Sequence, residues 1–188
     1  MTKSISLSPL KPNSAEIEQA IKLYVEAFPS CERREIDEWL SYLEEKSQKP
    51  FTLFAILMDN AFAGIISCWE LANFIYVEHF AVNKDARGNG IGAQTISALK
   101  EHYNNTPLVL EVEVPTEEMS IRRVGFYQRQ GFHLNESKYL QPPYRKGDNW
   151  FELKLMTTHP EFLDTNFEEV RDNIYRIAYN VKEEDFPW

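Results

Sequence analysis

The stretch from residue 51 to 92 constrains the fold most, because three strand-like runs follow one another directly and end on a glycine-rich turn that opens a helix. Phe51–Leu57 and Ala61–Trp69 are rich in β-branched and aromatic residues and flank Met58-Asp59-Asn60, which predicts an antiparallel hairpin. Phe74–Val82 is a third strand, ended by Asn83-Lys84-Asp85. From Asn89 the spacing turns helical, with Ile91, Ile96, Leu99 and Tyr103 on one stripe, until Asn104-Asn105-Thr106-Pro107 closes it.

The flanking segments complete the pattern. Ile5–Leu10 is a short strand; Ile17, Ala20, Ile21, Tyr24, Val25 and Phe28 form a helical stripe stopped by Pro29, and Ile36, Trp39, Leu40 and Leu43 mark a second helix. Leu108–Val114 is a strand, Thr116 stands where it can cap a helix that ends at Gly131, and Phe132–Leu134 and Trp150–Met156 are the last strands. The Tyr- and Pro-rich segment Tyr139–Tyr144 reads as a loop. Beyond His159-Pro160, the capping-box pattern Thr165-x-x-Glu168 and the stripe Phe167, Val170, Ile174, Ile177 and Val181 predict a separate acidic helix. The expectation is a mixed α/β domain with one sheet over residues 1–158, and a helical extension over 159–188.

A chain of 188 residues with 43% hydrophobic and 26% charged side chains is globular and long enough for one core. Its net charge of −9 argues against a phosphate-contacting surface, so nucleic acid is not expected as a partner. No apolar run approaches the roughly 20 residues of a membrane span and no signal-peptide pattern opens the chain; no membrane association is expected, and the cytoplasm is the expected location. Cys31 and Cys68 have no metal or disulfide spacing and read as reduced thiols packed as small hydrophobes. His102, His133 and His159 have no metal spacing either, and no metal is expected.

Arg87-Gly88-Asn89-Gly90-Ile91-Gly92 lies between a strand end and a helix start, where backbone N–H groups lack intrahelical partners and the helix dipole is positive. Glycines there let a pyrophosphate approach the main chain, and Arg87 can add a charge-assisted contact. A tight turn used only for packing is the plainer reading. Gly88-x-Gly90-x-x-Ala93 also fits a dinucleotide fingerprint, with Glu111 at the distance of a ribose-binding carboxylate. Context opposes that NAD-binding alternative, since four strands and two helices precede the turn and the second mononucleotide half is missing.

Tyr76-Val77-Glu78-His79-Phe80-Ala81-Val82 followed by Arg87–Gly92 resembles the acetyl-CoA motif of the GNAT N-acetyltransferases. Gly125-Phe126-Tyr127-Gln128-Arg129-Gln130-Gly131-Phe132 resembles the family's second block, and the likeness covers residues 4–156. The resemblance implies a mixed, mostly antiparallel sheet flanked by helices, with a central splayed parallel pair formed by the strands at 74–82 and 108–114. The pantetheine arm of acetyl-CoA would lie in that splay along Phe80, Ala81 and Val82. Its pyrophosphate would rest on Arg87, Gly88, Asn89, Gly90, Ile91 and Gly92, and the thioester would point beside Glu78, Phe80 and Tyr127. Tyr127 matches the family's tyrosine and would donate a proton to the departing sulfur.

Glu78 is the candidate base. Strand alternation places it with Tyr76, Phe80 and Val82 on an otherwise apolar face, where a carboxylate needs a task or an ion-pair partner. His79, on the opposite face, reads as structural. Glu111 and Glu113 share a face of the next strand and either bind a cationic acceptor or pair with Arg122 and Arg123. Tyr139 and Tyr144, with Trp69 and Trp39, are candidate aromatic walls of an acceptor pocket. The expected activity is direct acetyl transfer from acetyl-CoA to a primary amine of a small molecule or peptide. The alternative within the same fold is a CoA-sensing or interaction module without transferase activity. The terminal helix would cover the acceptor site, make a homodimer contact or pack on the sheet.

Overall fold

The computed structural model describes residues 4–188 apart from Asn89. The strands are β1 (Ile5–Pro9), β2 (Phe51–Met58), β3 (Ala61–Leu71), β4 (Phe74–Val82), β5 (Leu108–Glu113), β6 (His133–Leu134), β7 (Tyr139–Gln141) and β8 (Phe151–Thr157). The helices are α1 (Ile17–Ala27), α2 (Ile36–Ser41), α3 (Ile91–His102), α4 (Glu118–Arg129) and α5 (Pro160–Asn173), the last running into a π turn over Ile174–Ala178. The sheet is mixed and mostly antiparallel, in the order β1-β2-β3-β4-β5-β8-β6 with β7 also on β8, and its one parallel pair is β4 with β5.

Two compact units divide the chain. The first takes the chain up to Glu70 and Val77–Thr106; the second takes Leu71–Tyr76 and Pro107–Trp188, so β4 contributes to both. In the first unit β2 pairs antiparallel with β1 and β3 (Leu7 opposite Ile56, Ile65 opposite Ala55), and Leu53–Ile56 of β2 are buried throughout, as a strand covered on both faces requires. Trp39 of α2 stacks on Tyr24 of α1 with ring centroids 4.0 Å apart, which fixes the helical pair. Gly64 has a steric reason: a Cβ there would overlap the Ala81 carbonyl oxygen, so only glycine lets β3 and β4 approach this closely.

In the second unit β8 pairs antiparallel with β5, β6 and β7, with Leu155 opposite Glu111. Leu163 and Val170 of α5, with Ile174, Tyr175 and Ala178 of the π turn, are buried, as are Val109, Leu110, Leu155 and Met156 of the same unit. The boundary expected at residue 158 therefore does not divide the two units; the C-terminal segment shares a unit with β5–β8.

Several local expectations change. The stripe residue Val25 is 44% exposed while Leu23 is buried, because α1 turns slightly from the inferred face. Thr116 is not a cap: α4 begins one residue later, with the Glu117 N–H donating to Ser120 Oγ at 3.1 Å. Tyr139–Gln141 is a strand rather than loop, since β8 offers it an edge to pair with. The terminal helix starts at Pro160, a residue suited to a first helical turn, and the inferred start at Thr165 coincides with a kink at Asn166. Cys31 is exposed and only Cys68 is buried; both are free thiols. Among the described residues, no helix is long and apolar enough to cross a membrane.

Candidate active site

The end of β4 leads through a short 3-10 turn, Lys84–Ala86, into the glycine turn before α3. Gly88 has φ +83° and a Cβ there would meet nothing within 4 Å; Gly90 has φ +69° at the N-cap of α3, where only the Gln94 side chain comes near. Both conformations disfavour any residue with a Cβ, and α3 begins without a side-chain cap. Ile91 is buried and anchors the first turn, so the positive end of the 12-residue helix is held beneath an open main-chain surface. Arg87 Nε donates to the Val82 carbonyl at 3.2 Å, which ties the turn back to β4. Asn89 lies outside the described residues. A cleft of about 340 Å³ beside the turn is lined by Lys22, Lys84 and Arg87 with Glu26 and Asp85. The turn thus fits a diphosphate on two counts, backbone shape and space.

On β4, Phe80 and Val82 are partly exposed and Ala81 is buried. The side chain of Glu78 is 0% exposed, so the residue's remaining solvent access belongs to its main chain. Its carboxylate receives Arg34 Nη2 at 2.7 Å and the Trp69 Nε1–H at 2.8 Å, and His79 Nδ1 lies 3.6 Å away. Burial alone would raise this carboxyl, but the Arg34 guanidinium, then His79 and the Trp69 N–H, outweigh it and hold it at about 2. A carboxylate that acidic has little basicity near neutral pH, so the geometry favours the ion-pair reading of Glu78 over the base reading. Glu78 and His79, set on opposite faces by strand alternation, still bring His79 Nδ1 within 3.6 Å of a Glu78 carboxylate oxygen. His79 itself is structural, with Nε2 at 3.0 Å from the Glu32 carbonyl and its ring edge-on to Tyr24 and Phe28.

Arg34 carried no signal in the sequence. It lies in the connection before α2, is 4% exposed, and its guanidinium also lies 5.2 Å from the Trp69 ring. Trp69 and Trp39 are fully buried, which makes them core rather than pocket walls.

In the second unit Tyr127 lies on α4, packed edge-on against Phe126 and Phe132. Burial pushes its hydroxyl up to about 12, moderated by Arg123, so it stays protonated at ordinary pH. Among the described residues its hydroxyl has no hydrogen-bond partner in the fold, which leaves it able to donate. Glu113 and Glu111 part company: Glu113 makes an exposed pair with Arg123 at 2.7 Å, whereas Glu111 accepts from Tyr139 OH, Gln141 Nε2 and Tyr179 OH. Tyr144 OH is 3.3 Å from Tyr179 OH. Gln141 and Tyr179 were missed in the sequence; the Tyr175–Tyr179 spacing on the terminal helix was the one available hint. Among the described residues no cluster of His, Cys, Asp and Glu could hold a metal ion.

Comparison with known proteins bears on the family and the fold. The family model described as "Acetyltransferase (GNAT) domain" matches residues 22–143. A solved structure from Bacteroides thetaiotaomicron, named "Putative acetyltransferase from GNAT family", is 36% identical with a TM-score of 0.88, covering 94% of this chain and 99% of that one. A Bacillus subtilis (strain 168) protein, "Putative acetyltransferase YjbC", is 43% identical over 70 residues, which is 36% of this chain and 35% of that protein, so the match spans about a third of that relative. A Bacillus subtilis acetyltransferase solved in complex with CoA shares the fold at 16% identity and TM-score 0.55, over 82% of this chain and 97% of that one. With motifs, fold and family model in agreement, the chain belongs to the GNAT family of acetyltransferases.

Proposed function

We propose that the chain transfers an acetyl group from acetyl-CoA directly to a primary amine of a small molecule or peptide. The observation that carries this reading is the pair of positive-φ glycines, Gly88 and Gly90, opening α3 with empty space above the main chain. Gly88, Gly90, Ile91 and Gly92 would hold the diphosphate through backbone amides, with Arg87 adding charge and Phe80, Ala81 and Val82 lining the path of the arm. When bound, acetyl-CoA supplies an activated acyl thioester. Tyr127 is the donor kept protonated for the leaving sulfur, and no covalent enzyme nucleophile is required. Arg34 and Trp69 hold Glu78 as an anchor of β4. The acidic balance favours a cationic acceptor such as a polyamine, and a cytoplasmic setting suits the reaction.

The NAD-binding alternative is opposed by the order of elements, with four strands and two helices before the glycine turn, and by the match of residues 22–143 to a GNAT acetyltransferase domain. Titration calorimetry tests the cradle. Gly90→Asp places a Cβ at φ +69° and a negative charge beside the phosphates, and acetyl-CoA binding should fall below detection. Binding equal to wild type would refute the assignment.

A further inference from the structure

Among the described residues, Glu111 is a half-buried residue whose carboxylate has no cation beside it. Among the described residues its partners are hydroxyls and one amide: Tyr139 and Gln141 on β7, and Tyr179 OH at 2.9 Å from the C-terminal segment. The Tyr179 hydroxyl also accepts from Gln141 Nε2 at 2.9 Å and lies 3.1 Å from Tyr76 OH and 3.3 Å from Tyr144 OH. Glu78 makes the contrast, since Arg34 neutralises it at 2.7 Å. A carboxylate held only by neutral donors is costly to keep charged, and such a group is suited to a change of protonation. Burial raises the Glu111 carboxyl, and the hydrogen bonds from Tyr139, Gln141, Tyr179 and Tyr76 only partly offset it.

A second observation concerns how Tyr179 reaches this cluster. The helix widens into a π turn over Ile174–Ala178, with the Tyr179 N–H donating to the Ile174 carbonyl five residues back at 3.1 Å, and Asn180 then ends it at φ +56°. The wider turn changes the phase of the helix just before Tyr179, while Tyr175 OH donates to the Leu140 carbonyl and braces β7. Wide turns of this kind recur at functional sites. The family model ends at residue 143, so this device lies outside it.

We propose that Glu111 is the proton acceptor for the incoming amine, and that Tyr179, supplied by the C-terminal segment, is its positioning residue. In this step one N–H bond of the ammonium group breaks and the proton passes to a Glu111 carboxylate oxygen. The electron pair stays on nitrogen as the lone pair that reacts. Glu111 becomes a neutral acid, the form that burial favours. The assignment rests on the transferase reading above and extends it to the fate of the proton.

The test combines kinetics with a titration that needs no acceptor. Spermidine and a peptide with an unblocked N-terminus serve as acceptors; carboxyl carbon NMR of the protein labelled at glutamate follows Glu111 directly, its signal assigned by comparison with Glu111→Gln. Glu111→Gln should lower kcat/KM about 10²–10⁴-fold with acetyl-CoA affinity retained. Tyr179→Phe removes a donor to the charged form, so both the Glu111 titration and the ascending limb of the pH–rate profile should move to higher pH together. Wild-type turnover matched by Glu111→Gln, or a Glu111 that titrates in the ordinary carboxylate range, overturns the base assignment alone. A wild type that transfers to neither acceptor overturns the transferase reading and this assignment with it.

Discussion

Gly64, a residue with no chemistry to contribute, limits the fold as firmly as any charged group. Its Cβ position coincides with the Ala81 carbonyl oxygen and lies 3.1 Å from the Val82 Cα, so a methyl group there must push β3 and β4 apart at the strand end that feeds the glycine turn. Gly64→Ala should cost about 3 kcal/mol, the upper part of the usual overpacking range, read from the urea midpoint, and should weaken acetyl-CoA binding as well. At the same scale, the sequence exposed Glu78 as an oddity on an apolar strand but could not say why it was tolerated. Its explanation is Arg34, a residue 44 positions away whose burial and ion pair exist only once α2 and β4 are packed. The motif singles out Tyr127; that its hydroxyl is pushed up to about 12 depends on the burial that folding creates.

The element scale turns on the C-terminal helix. From the sequence it looked like an appendage with its own start signal at Thr165, because an amphipathic stripe looks the same whether its partner is a sheet or a second chain. In the structure Leu163, Val170, Ile174, Tyr175 and Ala178 are buried, and Tyr175 packs against Tyr139 of β7 and Trp150. At about 1.5–3 kcal/mol for each large apolar side chain, their loss approaches the whole stability of an ordinary domain. A chain cut after residue 158 should therefore lose cooperative unfolding in β5–β8, seen as collapsed amide hydrogen-exchange protection in those strands. Protection equal to that of the full chain would show the helix to be dispensable. The glycine turn was the opposite case. Its strand–turn–helix placement was readable because Gly88 and Gly90 are required by local backbone geometry, which needs no distant partner.

For the whole molecule, Glu78 and Glu111 pull stability in opposite directions with pH. Glu78 is held at about 2 against an ordinary 4.5, so its contribution is complete above about 4.5 and is lost as pH falls toward 2. That difference corresponds to stability on the order of a few kcal/mol. Glu111 is raised, so the folded state holds its proton more tightly; its contribution is full below the ordinary value and declines as pH rises through the folded one. Urea midpoints of Glu78→Gln should therefore fall furthest below wild type at pH 7 and converge with it near pH 2, whereas Glu111→Gln should gain on wild type as pH rises above about 4.5. An unchanging gap in either series would contradict the linkage. The amino-acid order by itself determined the mixed sheet, the glycine turn and the family likeness, since these depend on periodicity, backbone sterics and short motifs that neighbouring residues impose on one another. Only the tertiary structure decided which carboxylate is neutralised by a cation and which is held by hydroxyls, because a proton affinity is set by groups far apart in the chain and by the water that folding removes.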